Sequence, residues 1–169
     1  MTDHTNLVFS LCTPLDYQGV AEIYNEHINQ RKSTMDQVLK TGSDIEGWVK
    51  KFHSREKLFV LKQDGKLLGW GIIKRYSDRE GYSTACETAV YLKSEETRKG
   101  YGSYMKKEML KVCQELGYHH LVAKIFAVNT SSIEYNKRLG YEIVGVQKEI
   151  GKVNGQWMDI VIMQYVFEE

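Results

Sequence analysis

Proline and cysteine are scarce in this 169-residue chain, with one Pro and three Cys. A single proline leaves no Pro-rich linker, and no low-complexity stretch or internal repeat divides the sequence. The length therefore suits one domain, residues 1–169, around one sizeable core. Cys12, Cys86 and Cys113 are odd in number and form no C-x-x-C, and no secretory leader opens the chain. A disulfide framework is not expected, and free thiols in a reducing, cytoplasmic setting are. No apolar run approaches the roughly 20 residues of a membrane helix. Nor is there an excess of either charge: 23 Lys and Arg stand against 22 Asp and Glu, a net +1. Without a basic tail there is no general pull toward nucleic acid or anionic membranes. The five histidines, His4, His27, His53, His119 and His120, lack H-x-x-x-H or Cys/His spacing, so no metal site is expected.

What is present is a periodicity that switches repeatedly between strand and helix. Residues 6–12 read as a strand, and Thr13-Pro14 reads as a helix start that runs to about residue 28. Ser43 with Glu46 fits a capping box opening a short helix to about His53. Leu58–Lys62 and Leu67–Lys74 form a hairpin across an Asp64-Gly65 turn. Tyr82 to Leu92 is a fourth strand. Gly100 to Leu116 is a helix with inner stripe Tyr101, Met105, Met109, Val112 and Leu116, ended by Gly117. His120–Val128 is a buried strand, and Asn129 caps a short helix ending before Gly140. Tyr141–Ile150 and Trp157–Phe167 close the chain as an antiparallel pair across 151–156. This order predicts a mixed α/β (α+β) fold, a central twisted sheet of about seven strands flanked by about four helices. The connection from the fourth strand through the long helix to the fifth is expected to be parallel and right-handed.

The most informative stretch is E-T-A-V-Y-L-K-S-E-E-T-R-K-G-Y-G-S-Y, residues 87–104. A strand, a glycine turn and a helix N-terminus in series make an anion site, because the first N–H groups of a helix lack internal acceptors and carry the positive end of its dipole. The turn is neither a dinucleotide G-x-G-x-x-G nor a Walker A loop. Within the strand, Ala85, Glu87, Ala89 and Tyr91 share a face. Two of these are small, leaving room beside the carboxylate. Glu87 is thus a candidate base for a substrate ammonium. Cys86 faces the other way with no histidine near it in sequence, so a thiol nucleophile is not expected.

The motif order resembles the Gcn5-related N-acetyltransferase (GNAT) superfamily, and within it the phosphinothricin and methionine-sulfone acetyltransferase branch. The resembling segments are I-Y-N-E-H-I at 23–28 with Ser33-Thr34, R-E-G-Y at 79–82, E-T-A-V-Y-L at 87–92 and R-K-G-Y-G-S-Y at 98–104. They continue with N-T-S-S-I at 129–133, L-G-Y at 139–141 and G-Q-W-M-D at 155–159. The resemblance implies the GNAT fold and acetyl-CoA as co-substrate, with no metal. It implies that main-chain groups of Val90 and Leu92 pair with the pantetheine arm. Amides of Arg98, Lys99, Gly100, Tyr101, Gly102 and Ser103 would then hold the diphosphate, and Asn129 and Ser132 would contact the far side. It implies Glu87 as base, with Arg79 and Tyr82 at a substrate carboxylate, and a homodimer with the acceptor site near the subunit interface. Three positions depart from the pattern. Thr97 stands where Gln or Arg is usual, 151–155 is G-K-V-N-G rather than G-x-K-x-G, and Asn136 occupies the place of the frequent tyrosine acid. No general acid is therefore named by the resemblance.

The expected activity is acetyl transfer from acetyl-CoA to the primary amine of a small amino-acid-like substrate, such as phosphinothricin or methionine sulfone or sulfoximine, by direct attack in a ternary complex. Two alternatives stand beside it. The acceptor is a protein N-terminus or a polyamine, although the basic Lys74–Arg79 loop disfavours the latter; or the chain is a non-catalytic acyl-CoA-binding module.

Overall fold

The computed structural model describes residues 4–169. Seven strands and four α-helices follow in the order expected: β1 (Leu7–Leu11), α1 (Tyr17–Gln30), α2 (Gly42–Lys50), β2 (Lys57–Gln63), β3 (Lys66–Arg75), β4 (Ala85–Leu92), α3 (Tyr101–Glu115), β5 (His120–Phe126), α4 (Thr130–Arg138), β6 (Glu142–Val153) and β7 (Gln156–Val166). They build one sheet in the order β1-β2-β3-β4-β5-β7-β6. Every neighbouring pair is antiparallel except β4–β5, which is parallel as a strand–helix–strand crossover requires. Among the described residues no helix is long and apolar enough to cross a membrane.

The helices divide between the faces. Val20, Ile23, Tyr24 and Ile45 of α1 and α2 pack on Leu58, Val60 and Trp70 of β2 and β3. Met109 and Cys113 of α3 and Ile133 of α4 pack on Phe59, Ile73, Cys86, Leu121 and Ala123 from the other side. On β4 the alternation sends Tyr91 toward α1, where its ring stacks on Trp70 at 4.6 Å between centroids. Cys86 instead goes toward α3, its sulfur 3.8 Å from that of Cys113. The hydrogen bond with the Cys113 thiol, and then burial, push the Cys86 pKa up, so it is held as a thiol.

Local chemistry sets the ends, sometimes differently from the sequence reading. The cap of α2 is Thr41, not Ser43: the Asp44 carboxylate accepts from Thr41 N–H at 2.8 Å and from its hydroxyl at 3.0 Å. The helix stops at Lys50. Residues 80–82 form a 3₁₀ turn, so β4 begins at Ala85 rather than Tyr82. The last hairpin is longer than expected, with β6 running to Val153. Its turn is only Asn154-Gly155, at φ 48° and 79°, a pair suited to two left-handed positions. Trp157, at the start of β7, is 59% exposed in this single chain.

Candidate active site

The sheet opens at its centre. The β4–β5 ladder holds only three pairs, Ala85↔His120, Cys86↔Leu121 and Glu87↔Val122, while β4 stays paired with β3 as far as Leu92. Lys93 N–H donates to Leu68 C=O at 2.9 Å, which makes Gly69↔Leu92 a wide, non-bonded pair. By the alternation of an antiparallel ladder, the N–H and C=O of Leu92 and Val90 point away from β3, into the gap left by β5. Val90 and Leu92 therefore present a free strand edge inside the sheet. One group of that edge is occupied: His27 Nε2 lies 2.7 Å from Leu92 C=O, and its Nδ1 lies 2.7 Å from Ser33 Oγ. A carbonyl only accepts, so Nε2 carries the proton. Burial keeps His27 below its ordinary pKa, against the opposing pull of the Leu92 bond and Glu26. The neutral ring therefore accepts from the Ser33 hydroxyl.

The gap continues into a groove of about 710 Å³ that runs under the start of α3. Arg98 and Gly100 adopt left-handed φ of 63° and 83°, turning the chain into the helix. The first intrahelical bond is made by Tyr104 N–H to Gly100 C=O at 3.0 Å, so the amides of 101–103 have no acceptor within the helix. Arg98, Gly100, Gly102 and Ser103 line the groove. The Lys99 and Tyr101 side chains do not: Lys99 pairs with Glu96 at 3.0 Å, and Tyr101 is 4% exposed with its hydroxyl on Gln63. Across it, Asn129 caps α4 by accepting from Ser132 N–H at 3.4 Å, and both residues line the wall.

Two buried polar side chains that sequence reading did not assign also line this groove. Asn136 is 1% exposed; its Nδ2 donates to Ser132 C=O, and its Oδ1 has no partner among the described residues. Lys106, from α3, is 2% exposed and donates from Nζ to Thr88 Oγ1 at 2.7 Å. The expected inner stripe of α3 included Val112 and Leu116, which are only partly buried, whereas Gly102, Lys106 and Cys113 belong to the buried face. Their spacing, four and then seven residues, was the available signal.

On the α1 side of the sheet, Glu87 opens into a second cavity of about 830 Å³, within the range of small-molecule pockets. Glu87 is half-buried and ion-paired with Lys124 of β5 at 3.1 Å. Val122 is the partner of Glu87, and Lys124, two residues further along β5, lies on the same face of the sheet. Tyr82 lines this cavity, its ring 5.2 Å from that of Tyr76. Arg79 does not line it; its side chain sits on the exposed turn before Glu80. The cavity and the groove share Ser33, Tyr91, Lys124 and Phe126, so the two adjoin at Lys124, the ion-pair partner of Glu87.

The groove's features fit a nucleotide carrying an extended amide arm: orphan helix amides for a phosphate and a free strand edge for the arm. Comparison with known proteins identifies the family. The acetyltransferase (GNAT) domain model matches residues 9–162. The L-methionine sulfoximine/L-methionine sulfone acetyltransferase of Pseudomonas aeruginosa is 26% identical over 154 residues, covering 88% of each chain. The phosphinothricin N-acetyltransferase of Alcaligenes faecalis is 25% identical over 151 residues, covering 88% of this chain and 77% of that one. The crystal structure of a GNAT superfamily phosphinothricin acetyltransferase from Sinorhizobium meliloti, in complex with acetyl-CoA, superposes with a TM-score of 0.91. That match is 23% identical and covers 98% of this chain and 90% of that one.

Proposed function

The chain belongs to the GNAT family of acetyltransferases, and from that premise we propose that it moves an acetyl group from acetyl-CoA to the primary amine of a small amino-acid-like substrate. The observation that carries the reading is the junction of groove and cavity at Tyr91 and Lys124, where Lys124 is paired with Glu87 of the cavity. The amides of residues 98–103 and the edge groups of Val90 and Leu92 would hold the co-substrate, with Asn129 and Ser132 opposite. When bound, acetyl-CoA supplies the activated acyl group. The residues of the chain do the rest. Glu87 attracts the acceptor ammonium and takes its proton, since only the free amine attacks. The Val90 N–H, unpaired within the sheet, is placed to donate to the oxygen that becomes negative.

The acceptor cavity carries Glu87 and Lys124 side by side, a carboxylate and an ammonium that match the ammonium and carboxylate of an α-amino acid. We assign Lys124 to the substrate carboxylate, with Tyr82 beside it; Arg79 belongs to the same role only if its turn folds inward. A polyamine would meet the Lys124 cation beside the single Glu87 carboxylate, which disfavours that acceptor. The relatives named above suggest methionine sulfone, methionine sulfoximine or phosphinothricin as acceptors. A homodimer is part of the proposal: Ile143, Val144, Val146 and Ile150 of β6 are exposed, and Val144 and Ile150 also wall the acceptor cavity, so a second copy on this strand would complete it. The setting proposed is cytoplasmic, which suits three free thiols.

Release of CoA thiol from acetyl-CoA over a panel of amino acids tests the reading. Acetylation of a small amino acid is expected, with Glu87→Gln slower by ~10²–10⁴ near pH 7. Tight acetyl-CoA binding with no acetylation across the panel would overturn the acceptor assignment. A Glu87→Gln variant at full rate from about pH 6 to about 9 would overturn the base alone.

A further inference from the structure

The proton that the leaving sulfur needs has no assigned source, because the position that carries an acid in the resembling family is Asn136, and a carboxamide does not give up a proton at neutral pH. The groove nevertheless holds one buried cation. Asp16, which is also buried, is ion-paired with Lys62 at 2.6 Å, and Glu56 accepts from His53 N–H at 2.9 Å. Lys106 differs from both. Among the described residues no carboxylate lies within ion-pair distance of it. Its contacts are Thr88 Oγ1 at 2.7 Å and the Tyr141 ring, whose centroid is 4.9 Å from Nζ. An ammonium has three N–H donors. One is spent on Thr88, the ring receives the cation through its face, and Lys106 also lines the groove.

Position adds to composition. Thr88 is the first residue of β4 beyond the last pair with β5, so the ammonium sits at the vertex of the split. Val90, whose N–H faces the gap, is two residues further on, a strand distance of roughly 7 Å. A thioester with its carbonyl oxygen at Val90 N–H would lie along this short span. Asn136 Oδ1, buried and without a partner, opens on the same groove and can accept from a newly formed S–H.

We propose that Lys106 is the general acid of this chain, delivering a proton from Nζ, directly or across the Thr88 hydroxyl, to the departing sulfur. This rests on the acetyl-transfer reading above. As the C–S bond breaks, its electron pair goes to sulfur, and the Nζ proton joins it to give the thiol. Neutral Lys106 regains a proton from water. The acceptor ammonium loses one proton to Glu87 before attack and a second as the amide forms, so one proton is released overall. The groups that bear on Lys106 are Cys113 on its own helix, Cys86 and Glu87 on β4, and Tyr141 at the start of β6. Burial outweighs them and lowers Lys106 to about 8, close to the ~8.5 of a free thiol, so the transfer is nearly balanced.

The test uses Lys106→Met and Lys106→Gln in the full chain with CoA itself. Thiolate absorbance of bound CoA, titrated with pH, should show the thiol ionising about one pH unit lower in wild type than in either variant. With acetyl-CoA and an accepted amine, kcat should fall ~10²-fold in both variants, and the wild-type decline above about pH 8 should vanish from their profiles. A bound thiol that titrates identically in all three proteins overturns the proposal, as does a variant keeping kcat within about twofold. If wild type acetylates no amino acid, the acceptor reading fails on its own, and the thiol titration still decides Lys106.

Discussion

Lys106→Met should make this protein more stable at neutral pH and should do so by an amount that shrinks as pH rises. In the unfolded chain Lys106 ionises at its ordinary 10.5; in the fold, burial brings it to about 8. Between those values the native state binds fewer protons than the unfolded state, so wild-type stability climbs with pH across that window. At about 1.36 kcal/mol per pH unit, the window is worth ~3 kcal/mol. The group is 2% exposed, so no discount for solvent screening applies. Methionine has nothing to titrate and fills similar volume beside the Tyr141 ring. At pH 7 the variant should melt higher by ~6–12 °C, taking ~2–4 °C per kcal/mol for a domain of this size. By pH 10.5 the gap should have closed to a few degrees. Calorimetric melting of both proteins in parallel isolates the contribution of this position, the one at which the two chains differ. A gap that stays constant from pH 7 to 10.5 would refute the depressed pKa. A variant that melts lower at pH 7 would mean the ammonium contributes to the core instead of straining it.

Three further outcomes are expected. Gly69→Ala should cost ~1–3 kcal/mol and raise the KM for acetyl-CoA, because its Cβ would lie 2.8 Å from the Tyr91 carbonyl and 3.3 Å from Leu92 Cα, both backbone; Gly71→Ala, which meets the flexible Met109 sulfur at 2.6 Å, should cost less. An effect of Gly71→Ala as large as that of Gly69→Ala in denaturant titration would contradict this. Lys124→Met should raise KM ~3–10-fold for an amino acid and leave an amine without a carboxylate unchanged, a split read directly from steady-state kinetics. Thr41→Ala should destabilise by ~1 kcal/mol in urea melts while Ser43→Ala stays within a few tenths, the reverse holding if Ser43 were the cap.

The order of elements was readable because each was marked by period and punctuation, as at Gly117 and Gly140, which adopt φ of 81° and 104°. Two overlapping capping boxes, T-G-S-D and S-D-I-E, left the start of α2 ambiguous in sequence, and only the Asp44 contacts choose between them. The Asn154-Gly155 dipeptide is a hairpin-turn signal inside the 151–156 connection, and the structure places the turn there. Glu87 and the glycine turn could be found from one strand and one helix. Lys124 could not, since its pairing depends on the β4–β5 register, which no local pattern encodes. Lys106 was hidden for a related reason: a lysine on a helix reads as solvated until the faces of α3 and β4 are brought together.

The early end of the β4–β5 ladder has a consequence for amide hydrogen exchange. Along β4 the N–H groups of Glu87, Ala89 and Tyr91 are directed to β3, whereas those of Val90 and Leu92 open on the groove. Neighbouring residues of one central strand would thus exchange at alternating slow and fast rates, a pattern ordinarily found at the rim of a sheet. Filling the groove with CoA would slow the fast set and flatten the alternation, giving a residue-by-residue record of occupancy that does not depend on turnover.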